Sequence, residues 1–222
     1  VGGIKYWCHK AIAFTFSETL FDVAQEKMKA NQDFNSYEIQ LKDPMRYFKL
    51  VNDFLHGRKF EYTIENAPFL CTVGSMLKIM EIYHSALKMI PQITKQTAPI
   101  IMRAFSLSEI QYESCTKFIA ERWQFFAENP IIKSLPAFAF SMIFNSEDLD
   151  FSSESEIFNY IKKLVMNHKE DPHDYISLFA YCQTEELQED EIKDIINFIQ
   201  NDSVNQDVIK ALVEGLVSSS TE

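Results

Sequence analysis

Carboxylates are concentrated in the stretch Asn145–Glu156, which has the length of a twelve-residue calcium loop. The ligand pattern is incomplete, because Leu149 stands at the fifth position, where calcium needs an oxygen ligand. The sixth position, where such a loop turns sharply and requires glycine, is Asp150. We therefore interpret the stretch as a helix start, in which Ser153 caps the helix and Glu156 reaches back in a capping box.

Two histidines, His168 and His173, lie on either side of Glu170, Asp171 and Pro172. Residues five apart around a proline do not share a helix face, so a metal site here would rest on a loop. We interpret this segment as a solvated connection between helices. The sequence predicts no metal site and no cofactor.

The four cysteines, Cys8, Cys71, Cys115 and Cys182, are scattered along the chain. None has a second cysteine at metal-ligand spacing, and we expect reduced thiols and a cytoplasmic or nuclear protein. A small cysteine hydrolase using Cys71 or Cys115 with a distant histidine is one alternative function. No glycine-rich oxyanion or phosphate loop accompanies either thiol, so we expect the chain not to be an enzyme.

The net charge of the chain limits the kinds of molecule that we expect it to bind. The 222 residues carry 21 basic and 32 acidic side chains, a net charge of −11, which argues against nucleic acid or a membrane surface as partner. Residues 145–222 hold 18 of the acids and only 5 of the bases. Solvated helix faces explain this excess, and an acidic surface for a basic partner is the alternative. The densest acids are Glu185, Glu186, Glu189, Asp190 and Glu191.

Apolar spacing predicts consecutive helices over most of the chain. Between Gly74 and Gly215 there is no glycine, and apolar residues recur at intervals of three and four. We interpret each apolar stripe as the core-facing side of a helix. The stripes are Phe118, Ile119, Trp123 and Phe126; Ile157, Phe158, Ile161, Leu164 and Val165; and Ile192, Ile195, Ile196 and Ile199.

The first third of the chain has a mixed pattern. Strand-like alternation occurs in three stretches, Ile4–Cys8, Tyr37–Leu41 and Phe60–Ile64. Helices are predicted over Lys10–Ala30 and Pro44–His56, the second with Asp43 as its cap and Gly57 as its stop. The sequence thus predicts a small α+β domain, then an all-α segment, in a chain that is mainly α overall.

The most informative stretch is 129–178. It contains Leu135-Pro136, then Ser146 and Leu149, then Ser155-Glu156-Ile157-Phe158. This run resembles the BACK domain, the helical module that follows a BTB/POZ domain in kelch-type proteins. In this interpretation Leu149 fills a gap between helices, and the helix after Ser153 buries Ile157 and Phe158.

The first third is similar to a BTB/POZ domain in the order of several short motifs. They are His9-Lys10-Ala11-Ile12 with Phe16-Ser17, Leu41-Lys42-Asp43-Pro44 with Phe54-Leu55-His56-Gly57, and Glu65-Asn66 with Leu70, Leu77 and Ile79. The two resemblances imply an α+β BTB/POZ-like domain over 1–92, a helical connector over 93–127 and an all-α BACK-like domain over 128–222.

The resemblance implies a non-catalytic scaffold or adaptor that binds other proteins. A substrate adaptor of a cullin-type ubiquitin ligase is one form of this function, although the apolar-x-Glu element of cullin-recruiting members is absent from 28–36. An oligomerisation or interaction module unrelated to ubiquitin is the other. We expect a homodimer or protein partner to cover apolar residues near the N-terminus, namely Ile4, Tyr6, Trp7, Phe14 and Phe21.

Overall fold

A computed structural model describes residues 1–168, 172–183 and 186–201, and the chain divides into two compact units after Tyr112. This division falls within the stretch 93–127 that we predict as a connector. The first unit contains α1 (Lys10–Phe16), α2 (Glu18–Lys29), α3 (Phe48–Leu55), α4 (Ala67–Met76), α5 (Met80–Leu87) and α6 (Ala98–Leu107). The second contains α7 (Glu113–Ala120), α8 (Trp123–Phe126), α9 (Pro130–Lys133), α10 (Ala137–Phe144), α11 (Glu154–Asn167), α12 (His173–Ile176), a 3₁₀ helix (Ser177–Tyr181) and α13 (Glu189–Asn201).

The predicted α+β fold of the first third is wrong, because the described residues contain helices and no β-strand. The alternating stretch Tyr37–Leu41 shows the reason. Ile39 is buried and Leu41 half-buried, so alternate side chains do face the core. However, the Leu41 N–H donates to the Ile39 carbonyl within the same segment (2.9 Å) rather than to a neighbouring strand. Alternation here marks an irregular segment that covers a helical core.

The other two strand predictions fail in the same way. Ile4–Cys8 and Phe60–Ile64 have no ladder of strand hydrogen bonds. The rings of Phe60 and Tyr62 lie 4.7 Å apart between centroids and pack against the core of the first unit. Burial of alternate side chains therefore produced the period-2 pattern without a sheet.

The helix predictions of the first third are also corrected, one in its interior and one at its start. Lys10–Ala30 is two helices, since Ser17 adopts an extended conformation between α1 and α2. Pro44–His56 begins only at Phe48, because Arg46 takes a positive φ of 58° that a helix does not allow. Asp43 still caps this helix, and its carboxylate accepts from the N–H groups of Tyr47 (2.7 Å) and Phe48 (2.9 Å). Gly57, with a φ of 71°, ends the helix as predicted.

The core of the first unit is formed by α3, α4 and α5 together with the segments that cover them. Its fully buried side chains include Val51, Phe69, Leu70, Val73, Ile79 and Ile82. α4 and α5 approach closely at Gly74. A Cβ atom on this residue would lie 2.8 Å from the Tyr83 nitrogen and 3.0 Å from the Tyr83 Cα. The absence of a side chain therefore allows the two helices to pack.

The core of the second unit is aromatic and surrounds Trp123, which is completely buried. The Trp123 ring lies 4.9 Å from that of Tyr160 and 5.6 Å from that of Phe144, both edge to face. The predicted stripe on α11 is confirmed, because all five of its apolar side chains are buried. On α13, Ile195 is buried and Ile196 is 41% exposed, while the side chain of Ile199 lies outside the described residues.

The capping box predicted at the start of α11 is partly wrong. Ser153 is the N-cap residue but makes no side-chain capping bond. Glu156 reaches back as predicted, one residue further than expected, and its Oε2 accepts from the Ser152 N–H (3.0 Å). A second acceptor bond, from Gln124 Nε2 (3.0 Å), ties this helix start to the residues of α8.

We predict that Gly74→Ala destabilises the protein by about 1–3 kcal/mol, because the added methyl group forces apart the backbones of α4 and α5. The free energy of unfolding from urea denaturation tests this. Ser75→Ala, at the exposed neighbouring position of the same helix, is the matched control. Equal unfolding free energies for the two variants would contradict the role given to Gly74.

Candidate protein-interaction surfaces

The start of α2 is fixed by a buried hydroxyl group. Ser17 has no exposed surface, and its Oγ accepts from the Leu20 N–H (3.2 Å) while donating to the Leu77 carbonyl (2.6 Å) at the end of α4. Thr19 adds a second bond, from its Oγ1 to the Met76 carbonyl (2.9 Å). Ser17 thus caps the N-terminus of α2, and Ser17 and Thr19 together satisfy carbonyls at the C-terminus of α4. These bonds hold the junction of α1 and α2 against the end of α4.

Two of the predicted surface residues lie together between α1 and α2. The rings of Phe14 and Phe21 are 6.3 Å apart between centroids, and Phe34 joins them at 5.6 Å from Phe14. Phe21 is 43% exposed, whereas Phe14 and Phe34 are half-buried. Lys27 Nζ lies 5.7 Å from the Phe34 centroid and places a positive charge over this cluster.

Phe34 is a member of this cluster that residue spacing does not indicate. It follows the end of α2, in a segment without periodicity, and no spacing connected it to Phe14.

The segment ahead of α1 presents Ile4 and Trp7 to solvent, with 37% and 83% of their surfaces exposed. Tyr6, between them, is directed inward, and its ring lies 4.9 Å from that of Phe48 in the core. Burial raises the pKa of Tyr6 above its ordinary value. Of the five predicted N-terminal residues, Tyr6 therefore belongs mainly to the core, and Trp7 is the most exposed.

The residues on either side of Trp7 in the sequence carry positive charge or none. Lys5, His9 and Lys10 are exposed, and no acid occurs before Glu18. Lys10 Nζ donates to Asn35 Oδ1 (3.2 Å), which links the start of α1 to the segment after α2. The exposed indole thus lies in a sequence neighbourhood that favours acidic groups on a partner.

Of the five acids predicted to form a surface near the start of α13, Glu186, Glu189 and Asp190 are exposed. Lys193 lies 3.8 Å from Glu189 and 3.4 Å from Asp190. Glu191 has a structural role instead, because its Oε2 accepts from Ser155 Oγ (3.0 Å) and from the Gln188 N–H (2.9 Å). Glu185 lies outside the described residues.

The thiols are shielded from solvent to different degrees. None of the four cysteines forms a disulfide; Cys115 and Cys182 are buried, and Cys8 and Cys71 are half-buried. Burial raises the pKa of Cys71 to about 11 and, together with nearby carboxylates, that of Cys182 to about 12. A nucleophilic cysteine needs the opposite shift, toward the thiolate at neutral pH.

Residues of the stretches 145–156 and 168–173 make structural contacts. Asp148 forms an ion pair with Lys117 (2.9 Å), and the ring of His168 stacks on that of Tyr175 at 4.1 Å. His173 has a side chain outside the described residues. Among the described residues, no three His, Cys, Asp or Glu side chains are grouped closely enough to hold a metal ion.

No family model matches the chain, and no curated protein is significantly similar to it. In the described part of the chain, no helix has the length and apolar character needed to cross a membrane.

We predict slow alkylation of Cys71 by iodoacetamide at pH 7.5. Raising a thiol pKa from 9.0 to about 11 lowers its thiolate fraction about 100-fold at neutral pH. Because the thiolate forms only as pH approaches the raised pKa, the rate should still be increasing above pH 9. Peptide mass spectrometry gives the rate, with glutathione as the reference thiol. Alkylation of Cys71 faster than that of glutathione at pH 7.5 would support a cysteine hydrolase.

Proposed function

We propose that this protein is a non-catalytic scaffold or adaptor that binds other proteins through an N-terminal contact surface. This surface consists of Ile4, Trp7, Phe14, Phe21 and Phe34. The observation that carries the proposal is the exposure of Trp7, 83% of whose surface is open to solvent while Trp123 is completely buried. Exposed tryptophans are costly to leave in water and are enriched among the residues that dominate protein interfaces.

The arrangement of the aromatic cluster supports the same function. Phe21 exposes part of its ring and packs against Phe14, which in turn packs against Phe34, so the ring is held in place before a partner arrives. Side chains that are already ordered lose less conformational entropy on binding. The Ser17 bonds to Leu20 and Leu77 hold the backbone that carries these rings.

The absence of catalysis is part of the proposal. The raised pKa of Cys71 and the complete burial of Cys115 both act against nucleophilic chemistry. These two residues are the ones on which the hydrolase alternative depends.

A role as substrate adaptor of a cullin-type ubiquitin ligase is the specific form we propose first. It rests on the resemblance of 129–178 to a BACK domain. Ile157 and Phe158 are buried on α11 and Leu149 is half-buried, which is compatible with that resemblance. An oligomerisation module, in which a second copy covers the N-terminal contact surface, is the companion form.

We predict that the chain binds a purified cullin N-terminal domain with a dissociation constant below about 1 μM, and that Trp7→Ala weakens binding at least about tenfold. The change removes the most exposed apolar group of the contact surface. Isothermal titration measures the affinity, and light scattering of the chain alone reports any dimer. Met166→Ala, at a 52% exposed residue of α11, is the control.

The outcomes separate the two forms. No heat of binding at tens of micromolar, together with a concentration-dependent dimer that Trp7→Ala dissociates, would replace the ligase role by oligomerisation. Tight binding that Trp7→Ala leaves unchanged would contradict the assignment of the contact surface. A persistent monomer without cullin affinity would overturn both forms.

A second contact surface for a basic partner is favoured by the exposure of Glu186, Glu189 and Asp190. The side chains of Glu189 and Asp190 are 92% and 96% exposed, so these charges contribute little to folding stability. Their position at or just before the start of α13 leaves them open to a partner.

We predict that a lysine-rich and arginine-rich peptide binds the chain with an affinity that falls steeply between 50 mM and 500 mM salt, because exposed charges are screened. The triple variant Glu186→Gln, Glu189→Gln, Asp190→Asn should weaken binding at low salt without lowering the melting temperature. Fluorescence anisotropy of the labelled peptide measures the affinity of the natural chain and of the variant at each salt concentration, and circular dichroism measures their melting temperatures. Salt-independent binding, or unchanged binding by the triple variant, would rule out this surface.

A further inference from the structure

Two stretches of the first unit, 61–79 and 92–110, begin with the same hydrogen-bonded turn. In the first, the Thr63 N–H donates to Asn66 Oδ1 (3.0 Å) and the Asn66 N–H donates to Thr63 Oγ1 (3.4 Å). In the second, the Thr94 N–H donates to Thr97 Oγ1 (2.9 Å) and the Thr97 N–H donates to Thr94 Oγ1 (3.2 Å). Each pair satisfies two backbone donors reciprocally, directly ahead of a helix.

A third bond extends the likeness of the two turns. Asn66 Nδ2 donates to the Glu61 carbonyl (3.0 Å), and Thr97 Oγ1 donates to the Gln92 carbonyl (2.5 Å). In both cases the acceptor lies five residues before the donor. The same three-bond network thus forms twice, once from a side-chain amide and once from a hydroxyl group.

The helices that follow the two turns also correspond. α4 and α6 each have ten residues and begin with Ala-Pro, at Ala67 and Ala98. Each helix is followed by a residue with a φ of 51°, Lys78 in the first stretch and Glu109 in the second. The next N–H then bonds back to the helix in both, from Ile79 to the Gly74 carbonyl (2.8 Å) and from Ile110 to the Phe105 carbonyl (3.1 Å).

The spacing is constant throughout. Every residue of the first stretch lies 31 positions before its counterpart, from Thr63 and Thr94 at the turn to Ile79 and Ile110 at the exit. The exit turn alone would not show a repeat, because Asn31 after α2 and Gly57 after α3 also have positive φ. These two stretches are distinguished by three shared features at one constant spacing. They have the same hydrogen-bond network before the helix, the same helix length and the same turn after the helix.

We infer that 61–79 and 92–110 are two copies of one helical module. Recurring helical modules are a common construction of protein-binding scaffolds, so the inference names a building unit beyond the proposed function. The copies differ where their surroundings differ. Gly74 in the first copy admits the close approach of α5, whereas Phe105 in the second stacks on Tyr112 at 4.4 Å, next to the end of the first unit.

A transplant tests whether the copies are equivalent. The turn of the second copy is given the first copy's sequence by Gln92→Glu, Ile93→Tyr, Lys95→Ile, Gln96→Glu and Thr97→Asn in the full chain. The matched control carries the same changes but has alanine at positions 94 and 97, so that the reciprocal network cannot form.

Equivalent copies predict that the transplant melts within about 1 °C of the natural chain, whereas the control melts about 2–4 °C lower for each 1 kcal/mol of lost capping. Circular dichroism follows both transitions. A transplant that melts as low as its control would overturn the inference, because the two turns would not be interchangeable. A control that melts like the natural chain would overturn it as well, since the shared network would not determine the fold.

Discussion

The first unit depends on how its short helices satisfy their terminal backbone groups. A helix of seven to twelve residues leaves a large share of its N–H and C=O groups without intrahelical partners, and burial makes an unpaired group costly. Ser17 answers this constraint for two helices at once, capping α2 through Leu20 and closing α4 through Leu77. Asp43 caps the N-terminus of α3, and each of its carboxylate oxygens accepts a hydrogen bond from a backbone N–H group.

The need to satisfy helix ends also determines which side chains remain exposed and can contact a partner. The core takes Tyr6, Phe48 and the apolar faces of α4 and α5, and the capping bonds hold α1 and α2 against it. Phe21 and Trp7 lie outside that arrangement, and no core or capping role accounts for their exposure. The proposed function assigns them to a partner, which gives a physical reason for keeping large apolar groups in water.

The sequence predicted α11 well because apolar spacing and burial coincide there, whereas the stripe Phe118–Phe126 falls on two separate helices, α7 and α8. Ile157, Phe158 and Ile161 recur at helical intervals and are all buried. In the first unit the same reasoning gave strands that do not exist, since Ile39 and Leu41 alternate without a neighbouring strand. Periodicity reports which side chains face a core, and it does not report where the backbone hydrogen bonds go.

The candidate surface was predictable in part. Trp7 and Phe21 were named as apolar residues that a dimer or protein partner would cover, and both are exposed, whereas Tyr6 turns inward on Phe48. Phe34 could be found only from the structure, because the turn after α2 brings it to Phe14 across twenty residues of sequence. Contacts of that kind depend on the exit angle of a helix, which residue spacing does not specify.

The most direct test of the proposed function is the accessibility of Trp7 in a chain where it is the only tryptophan. Trp123→Phe provides that chain, and acrylamide is a suitable quencher because its neutrality avoids repulsion by a net charge of −11. We expect strong quenching of Trp7 in the monomer and protection once a cullin domain or a second copy is bound. Weak quenching in the monomer, or equal quenching in the free chain and the complex, would contradict the role of Trp7 as the contact residue.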